Sequence, residues 1–157
     1  MATAFRPNWA LVIRQSVFAG FIGAVVFELY VWLTTVQPVH GSVVAMLQHS
    51  ASIALGPVAF TSPRYVWAGV LVDLVISMAW AGGYAYFAQR QPFVNTRWAL
   101  SGFFYGFVVY VLMLLLLLGA HAFVSPSTPQ ALFNDVIART VFFGVPVAFV
   151  VARLDRT

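Results

Sequence analysis

The chain has no cysteine and no lysine, and only four acidic residues among its 157. Without cysteine there can be no disulfide, no thiolate metal site and no cysteine nucleophile. Charged residues make up 8% of the chain, where a soluble domain carries about 25%. No nucleophile elbow, phosphate-binding loop, HExxH helix or Rossmann fingerprint occurs. Serine, histidine and aspartate are present, but no spacing singles out a triad, so nothing points to an enzyme. All eight basic residues are arginines, scattered and mostly flanking apolar runs. Such arginines read as topology determinants, so the pI near 10.0 is not a nucleic-acid signal.

What the chain does have is apolar length. Hydrophobic residues make up 62% and the mean hydropathy is +0.91. Four long runs, at 11–36, 66–88, 98–120 and 131–152, each exceed the roughly 20 residues a helix needs to cross a bilayer. They do not alternate in polarity, which excludes barrel strands. The first run is too long for a signal-peptide core and no small-residue cleavage site follows it, so it reads as an uncleaved span. Almost nothing is left over for a soluble domain. The expected fold is therefore one all-α membrane domain over 1–157.

Punctuation supports these boundaries. Ser62-Pro63 and Thr128-Pro129 each put a capping hydroxyl before a proline at the first helical position. Thr96 is a candidate cap for the third span, and Pro146 is expected to kink the fourth. A further segment at 42–55, ended by Gly56-Pro57, is apolar but too short to span. It reads as a re-entrant or interfacial helix. Arg6, Arg14, Arg90, Arg97, Arg153 and Arg156 fall on one side of the resulting topology and Arg64 on the other. The positive-inside rule then places both termini in the cytoplasm and the loops at 37–65 and 121–130 outside. Trp9, Trp32, Trp67 and Trp98 lie near span ends, as aromatic belts do, while Trp80 lies deeper and is expected to pack.

Small residues mark expected helix contacts. Gly20 and Ala24 share a face with Glu28 in the first span; Ala79 and Gly83 form a pair in the second; Gly102 and Gly106 make a GxxxG in the third. Packing within one bundle and self-association both use such faces.

Four ionisable residues lie inside the spans: Glu28, Asp73, Asp135 and Arg139. A charge there costs at least ~3 kcal/mol and marks a functional-site hypothesis. Depth brings them together. Counting along each helix, Glu28 lies about 12 Å, Asp73 about 10 Å, Asp135 about 6 Å and Arg139 about 12 Å from the outer end. They form one layer in the outer half, with Asp135 and Arg139 one helical turn apart. Three acids against one arginine leave the layer two positive charges short. Protons, a cation, a water cavity or a partner's residue can fill that deficit. Arg64 is placed to reach down from the interface, and Asp73, Ser77 and Tyr84 share a face that extends a polar track inward. Three roles compete for the layer: polar glue that fixes helix register, a proton or cation pathway, and docking onto a partner's charge.

The histidines, His40, His49 and His121, all fall on the outer side. Imidazole is a common transition-metal ligand, so a metal or haem site is one reading. There is no HxxxH pair, and interfacial histidines need no special cause. A pigment or quinone between helices is compatible with 17% aromatic content, with nothing specific behind it. No cofactor is predicted.

The stretch DLVISMAWAGGYAYFA at 73–88, followed by Gln91-Pro92, and the Ser101-Gly102 and Tyr105-Gly106 pairs resemble the YagU-like bacterial inner-membrane proteins. The resemblance covers about the last 90 residues. In that pattern a histidine often stands at the place of Asp73 and another near Arg139, and this chain departs at both. The resemblance implies a small protein of the bacterial inner membrane and no particular reaction. With the lipid bilayer and other membrane subunits or further copies as expected partners, the leading expectation is an accessory or scaffolding subunit. A small channel or proton/cation-coupled transporter using the ionic layer comes second. A carrier of haem, metal or pigment on the outer side is third.

Overall fold

The computed structural model describes residues 6–36, 38, 41–119 and 128–156. Among them there is no strand. Helix α1 is Trp9–Val31, continued by a π-helical turn at Trp32–Val36. Helix α2 is Val43–Leu55, α3 Val66–Arg90, α4 Phe93–Thr96 and α5 Trp98–Gly119. The last helical stretch runs from α6 (Pro129–Ile137) through a π-helical segment at Ala138–Gly144 into α7 (Val145–Leu154). Five stretches are long and apolar enough to cross a membrane by length and composition: Trp9–Val36, Val43–Phe60, Pro63–Arg90, Trp98–Gly119 and Pro129–Leu154.

The starts follow from capping chemistry. Asn8, Ser42, Ser62 and Thr128 each accept a backbone N–H in the turn that follows, filling one of the four donors a helix start leaves open. Helix α2 ends at Gly56, whose φ of 60° is left-handed backbone that a side chain would resist. Thr96 is not the cap expected of it. Its hydroxyl donates to the Phe93 carbonyl inside the short α4. Pro146 does not act by a simple kink either. It sits in the first turn of α7, directly after seven residues of π-helix. Proline lacks an N–H and its ring clashes with the carbonyl four residues back; a wider preceding turn accommodates both.

Packing is tightest at the end of the bundle that holds the termini. There α1 and α3 run antiparallel. Asn8 and Gln89 exchange hydrogen bonds at 2.9 and 3.3 Å, and the Ser16 hydroxyl donates to the Met78 carbonyl at 2.6 Å. The same end ties α1 to α7 through Arg14 to the Leu154 carbonyl and Gln15 to the Val151 carbonyl. Asn95 bonds Asp155 at 3.0 Å. The core between them is built from small and β-branched residues, among them Ala81, Ala85, Val147, Ala148 and Val151, closed by Tyr84.

The glycine faces sort into two kinds. Gly102 and Gly106 pack within the chain: a Cβ on Gly102 would meet the Ala148 Cβ at 2.7 Å, and one on Gly106 would meet the Thr140 Cα at 2.7 Å. Gly20 is likewise pressed on Met78, and Ala24 is buried. Ala79 and Gly83, in contrast, lie on the exposed side of α3, and the only atom near a Gly83 Cβ is the Tyr105 hydroxyl at 3.3 Å. The expected contact face of α3 is therefore the wrong one. Ala81, Tyr84, Ala85 and Ala88 face the core instead.

Outward faces are apolar: Trp67 is 79% exposed, Leu71 62% and Phe104 60%. Surfaces of this kind suit hydrocarbon and not water. Helix α2 lies at the end away from the termini. Its approach begins with Gly41 N–H on the Val36 carbonyl, and its middle is held by Gln48 to the Ser62 carbonyl. Its backbone at Leu47 rests directly on Gly69.

Candidate functional site: a charged cavity among the helices

In the half of the bundle away from the termini the helices part around a half-open cavity of about 450 Å³. Every element except α4 and α7 contributes to its wall. Glu28 comes from α1, His49 and Ser50 from α2, Asp73, Ser77 and Trp80 from α3, Tyr110 from α5, Asn134 and Asp135 from α6, and Arg139 from the π-helical segment. The four ionisable residues placed at one depth by helix counting do line one space.

Their pairing is uneven. Arg139 forms an ion pair with Asp135 across one helical turn. Its guanidinium also lies 5.3 Å from the Phe27 ring centre and 6.0 Å from that of Tyr110, within cation–π range. Glu28 of α1 and Asp73 of α3 line the same space. Two carboxylates can only accept, so a hydrogen bond between them requires a shared proton. Ser50 lines the same space, yet the Asp73 Oδ2 is buried without a partner, as is the indole Nε1 of Trp80. The cavity therefore holds one neutralised pair, one carboxyl pair, and two unmet polar atoms in an otherwise apolar and aromatic wall. A buried polar atom without a partner is costly, and a bound group that supplies the missing bonds removes that cost.

Two features explain why Arg139 points inward. Close packing of Gly106 on the Arg139–Thr140 backbone draws the final helical stretch against α5, and the π-helical turns rotate the face that follows Ile137. Single π-helical turns are frequent at functional sites because they re-aim side chains in this way.

Several expected participants lie elsewhere. Arg64 does not reach down; it is exposed, with its guanidinium 5.0 Å from the Tyr65 ring and a bond to the Tyr65 hydroxyl. Ser77 lines the cavity, but the polar track stops there, because the Tyr84 hydroxyl bonds Ser101 at 2.7 Å outside it. His49 lines the cavity, while His40 and His121 fall outside the described residues. Among the described residues no group of three His, Asp or Glu side chains is arranged to hold a metal ion. Ser50, Tyr110 and Asn134 were not anticipated. Their only signal in the sequence is a polar group inside or beside an apolar run. Trp80 was expected to pack, and it does, but with its N–H unmet.

A second, more open recess of about 490 Å³ lies on the outside, between α1, α2 and α3. It is apolar, with Val25, Leu29, Trp32, Val43, Leu47 and Leu74 in its wall. It shares Glu28, Met46 and Asp73 with the inner cavity. Comparison of the chain with protein-family models, curated proteins and solved structures finds no match.

Proposed function

We propose that this protein is a small membrane transporter that exchanges a proton for a monovalent cation at Glu28 and Asp73. One observation carries the reading: the acid pair sits in a roomy cavity whose arginine is already committed to Asp135. Polar glue alone would close dry around its own partners, since interiors pack without voids of this size. The accessory-subunit reading draws its support from how little of the chain lies outside the apolar runs, and the Gly102–Gly106 face, a candidate for self-association, is consumed inside the chain. Dissociation of the shared proton leaves two carboxylates in a place where a cation offsets the cost of their burial. In this scheme Arg139 and Asp135 shape the cavity and balance its charge.

The proposed topology has four crossings, both termini in the cytoplasm, and α2 dipping in from the outer side to bring His49 and Ser50 to the acids. It is supported by the antiparallel pairing of α1 with α3, which sets the end of α1 and the start of α3 at one level. The arginine distribution and the resemblance to YagU-like proteins add the bacterial inner membrane. The natural absence of cysteine allows a direct check. Thr61→Cys is expected to react with a membrane-impermeant maleimide added outside intact cells, and Thr96→Cys only after lysis. With the amino terminus kept in the cytoplasm, a fifth crossing by α2 would reverse the two results.

The function is tested in proteoliposomes under an imposed pH gradient, with sodium, potassium or tetraphenylphosphonium supplied in turn as the counter-cation that exchange requires. The wild-type chain is expected to dissipate the gradient faster than protein-free vesicles, and Glu28→Gln or Asp73→Asn to slow this by about tenfold or more with helix content intact. Folded variants that still match the wild type overturn the reading. Variants that fail to fold favour the glue role and count against it.

A further inference from the structure

Resting on that reading, we infer that the cation is a lipophilic organic one, and that it reaches Glu28 and Asp73 sideways from the bilayer through the recess between α1, α2 and α3. Four observations converge. First, beside the oxygens of its polar residues the cavity wall carries much carbon, with Trp80, Phe143 and Met113 lining the same space as the acid pair. A sodium or potassium ion is held by oxygens alone and makes no use of that carbon surface. A substituted ammonium or phosphonium ion needs only a counter-charge and an aromatic or apolar surround. Second, about 450 Å³ is room for an organic molecule and far more than a bare ion requires.

Third, the outer recess is lined by residues that face hydrocarbon: Val25 is 49% exposed, Leu29 54% and Trp32 38%. A hydrated ion has no reason to enter there, whereas an amphiphile dissolved in the membrane does. Fourth, the recess and the cavity have Glu28, Met46 and Asp73 in common. The acids thus form the floor of one space and the wall of the other, with a flexible thioether between. At about 12 Å below the outer end of its helix, Glu28 is too deep for a phospholipid headgroup held at the interface. That depth selects a compact cation over a membrane lipid. As the cation arrives, the proton shared by the two carboxyls leaves, and the charge of the site is conserved.

The test uses tetraphenylphosphonium, a permanent lipophilic cation, with the full chain in lipid nanodiscs. Equilibrium binding above empty nanodiscs is expected, with Glu28→Gln and Asp73→Asn each weaker by about tenfold or more. Val25→Trp, which fills the recess from an exposed position, is expected to weaken binding or slow it. Leu71→Trp, exposed but outside the recess, is expected to do neither. No binding above empty nanodiscs, in a preparation that still moves protons, overturns the lipophilic cation and leaves the proton site standing. Absence of both removes the two together. Binding that Val25→Trp leaves untouched overturns the sideways route.

Discussion

Gly106→Leu is expected to destabilise the folded bundle severely. The crossing of α5 with the last helical stretch is a backbone-to-backbone contact. A Cβ at Gly106 would fall on the Arg139 carbonyl and 2.7 Å from the Thr140 Cα, and Gly144 faces the Gly106 backbone from the other side. No rotamer change relieves a clash with main chain, so the two helices must separate. Overpacking of a tight core costs about 1–3 kcal/mol and occasionally more; here the strain is unrelieved, and the α5 contacts to Ala148 and Thr140 are lost with it. We expect a loss of about 3 kcal/mol or more against a total stability on the order of 5–15 kcal/mol. Thermal unfolding in mild detergent, followed by size-exclusion fluorescence, measures it. Gly83→Ala is the matched control. Gly83 is exposed and helical; an added Cβ there meets only the Tyr105 hydroxyl, at 3.3 Å, and a helix-propensity gain of about 0.5 kcal/mol opposes that contact, so the net change should be small. Equal unfolding temperatures for Gly106→Leu and wild type would refute the described crossing.

That contrast also marks where the sequence stopped being readable. Helix limits followed from apolar length, Pro and capping hydroxyls, and each expected span matches an observed stretch to within about three residues at either end. The common depth of Glu28, Asp73, Asp135 and Arg139 followed from counting residues, because rise per residue is constant. Faces were a different matter. Around a helix set in lipid, both the core side and the outer side are apolar, so periodicity carries little contrast. Ala79 and Gly83 look like Gly102 and Gly106 in sequence, yet only the second pair is pressed on another helix's backbone, while a Gly83 Cβ would meet no more than the Tyr105 hydroxyl. Partner choice was unreadable for a related reason. Three acids lay at one depth, and which of them Arg139 takes depends on helix rotation. The π-helical segment sets that rotation, and nothing in ARTVFFG announces it. The outer recess is a gap between three helices and has no residue signature at all.

Arg139→Gln is expected to be the most damaging change among the charged residues, and its partner Asp135→Asn a mild one. The asymmetry comes from who is left behind. With the arginine gone, Asp135 keeps some contact with solvent, its side chain being 38% exposed, but Glu28 and Asp73 lose the one cation in their cavity. The contacts of the guanidinium with Phe27 and Tyr110 go as well, each worth about 0.5–1 kcal/mol. Breaking a buried pair from one side typically costs about 3–5 kcal/mol, and the partial exposure of Asp135 puts this case near the lower limit, at about 3 kcal/mol. With Asp135 neutralised instead, Arg139 still has two carboxyls within the same space and can turn toward them, so the loss should be about 1 kcal/mol. The double variant is expected to be more stable than the sum of the two predicts, because it removes both ends of the pair. Unfolding curves for the four proteins in one detergent measure this cycle. Equal costs for the two single variants, with a strictly additive double, would mean that Arg139 is not held by Asp135 and that the sorting of charges in the cavity is different from the one described.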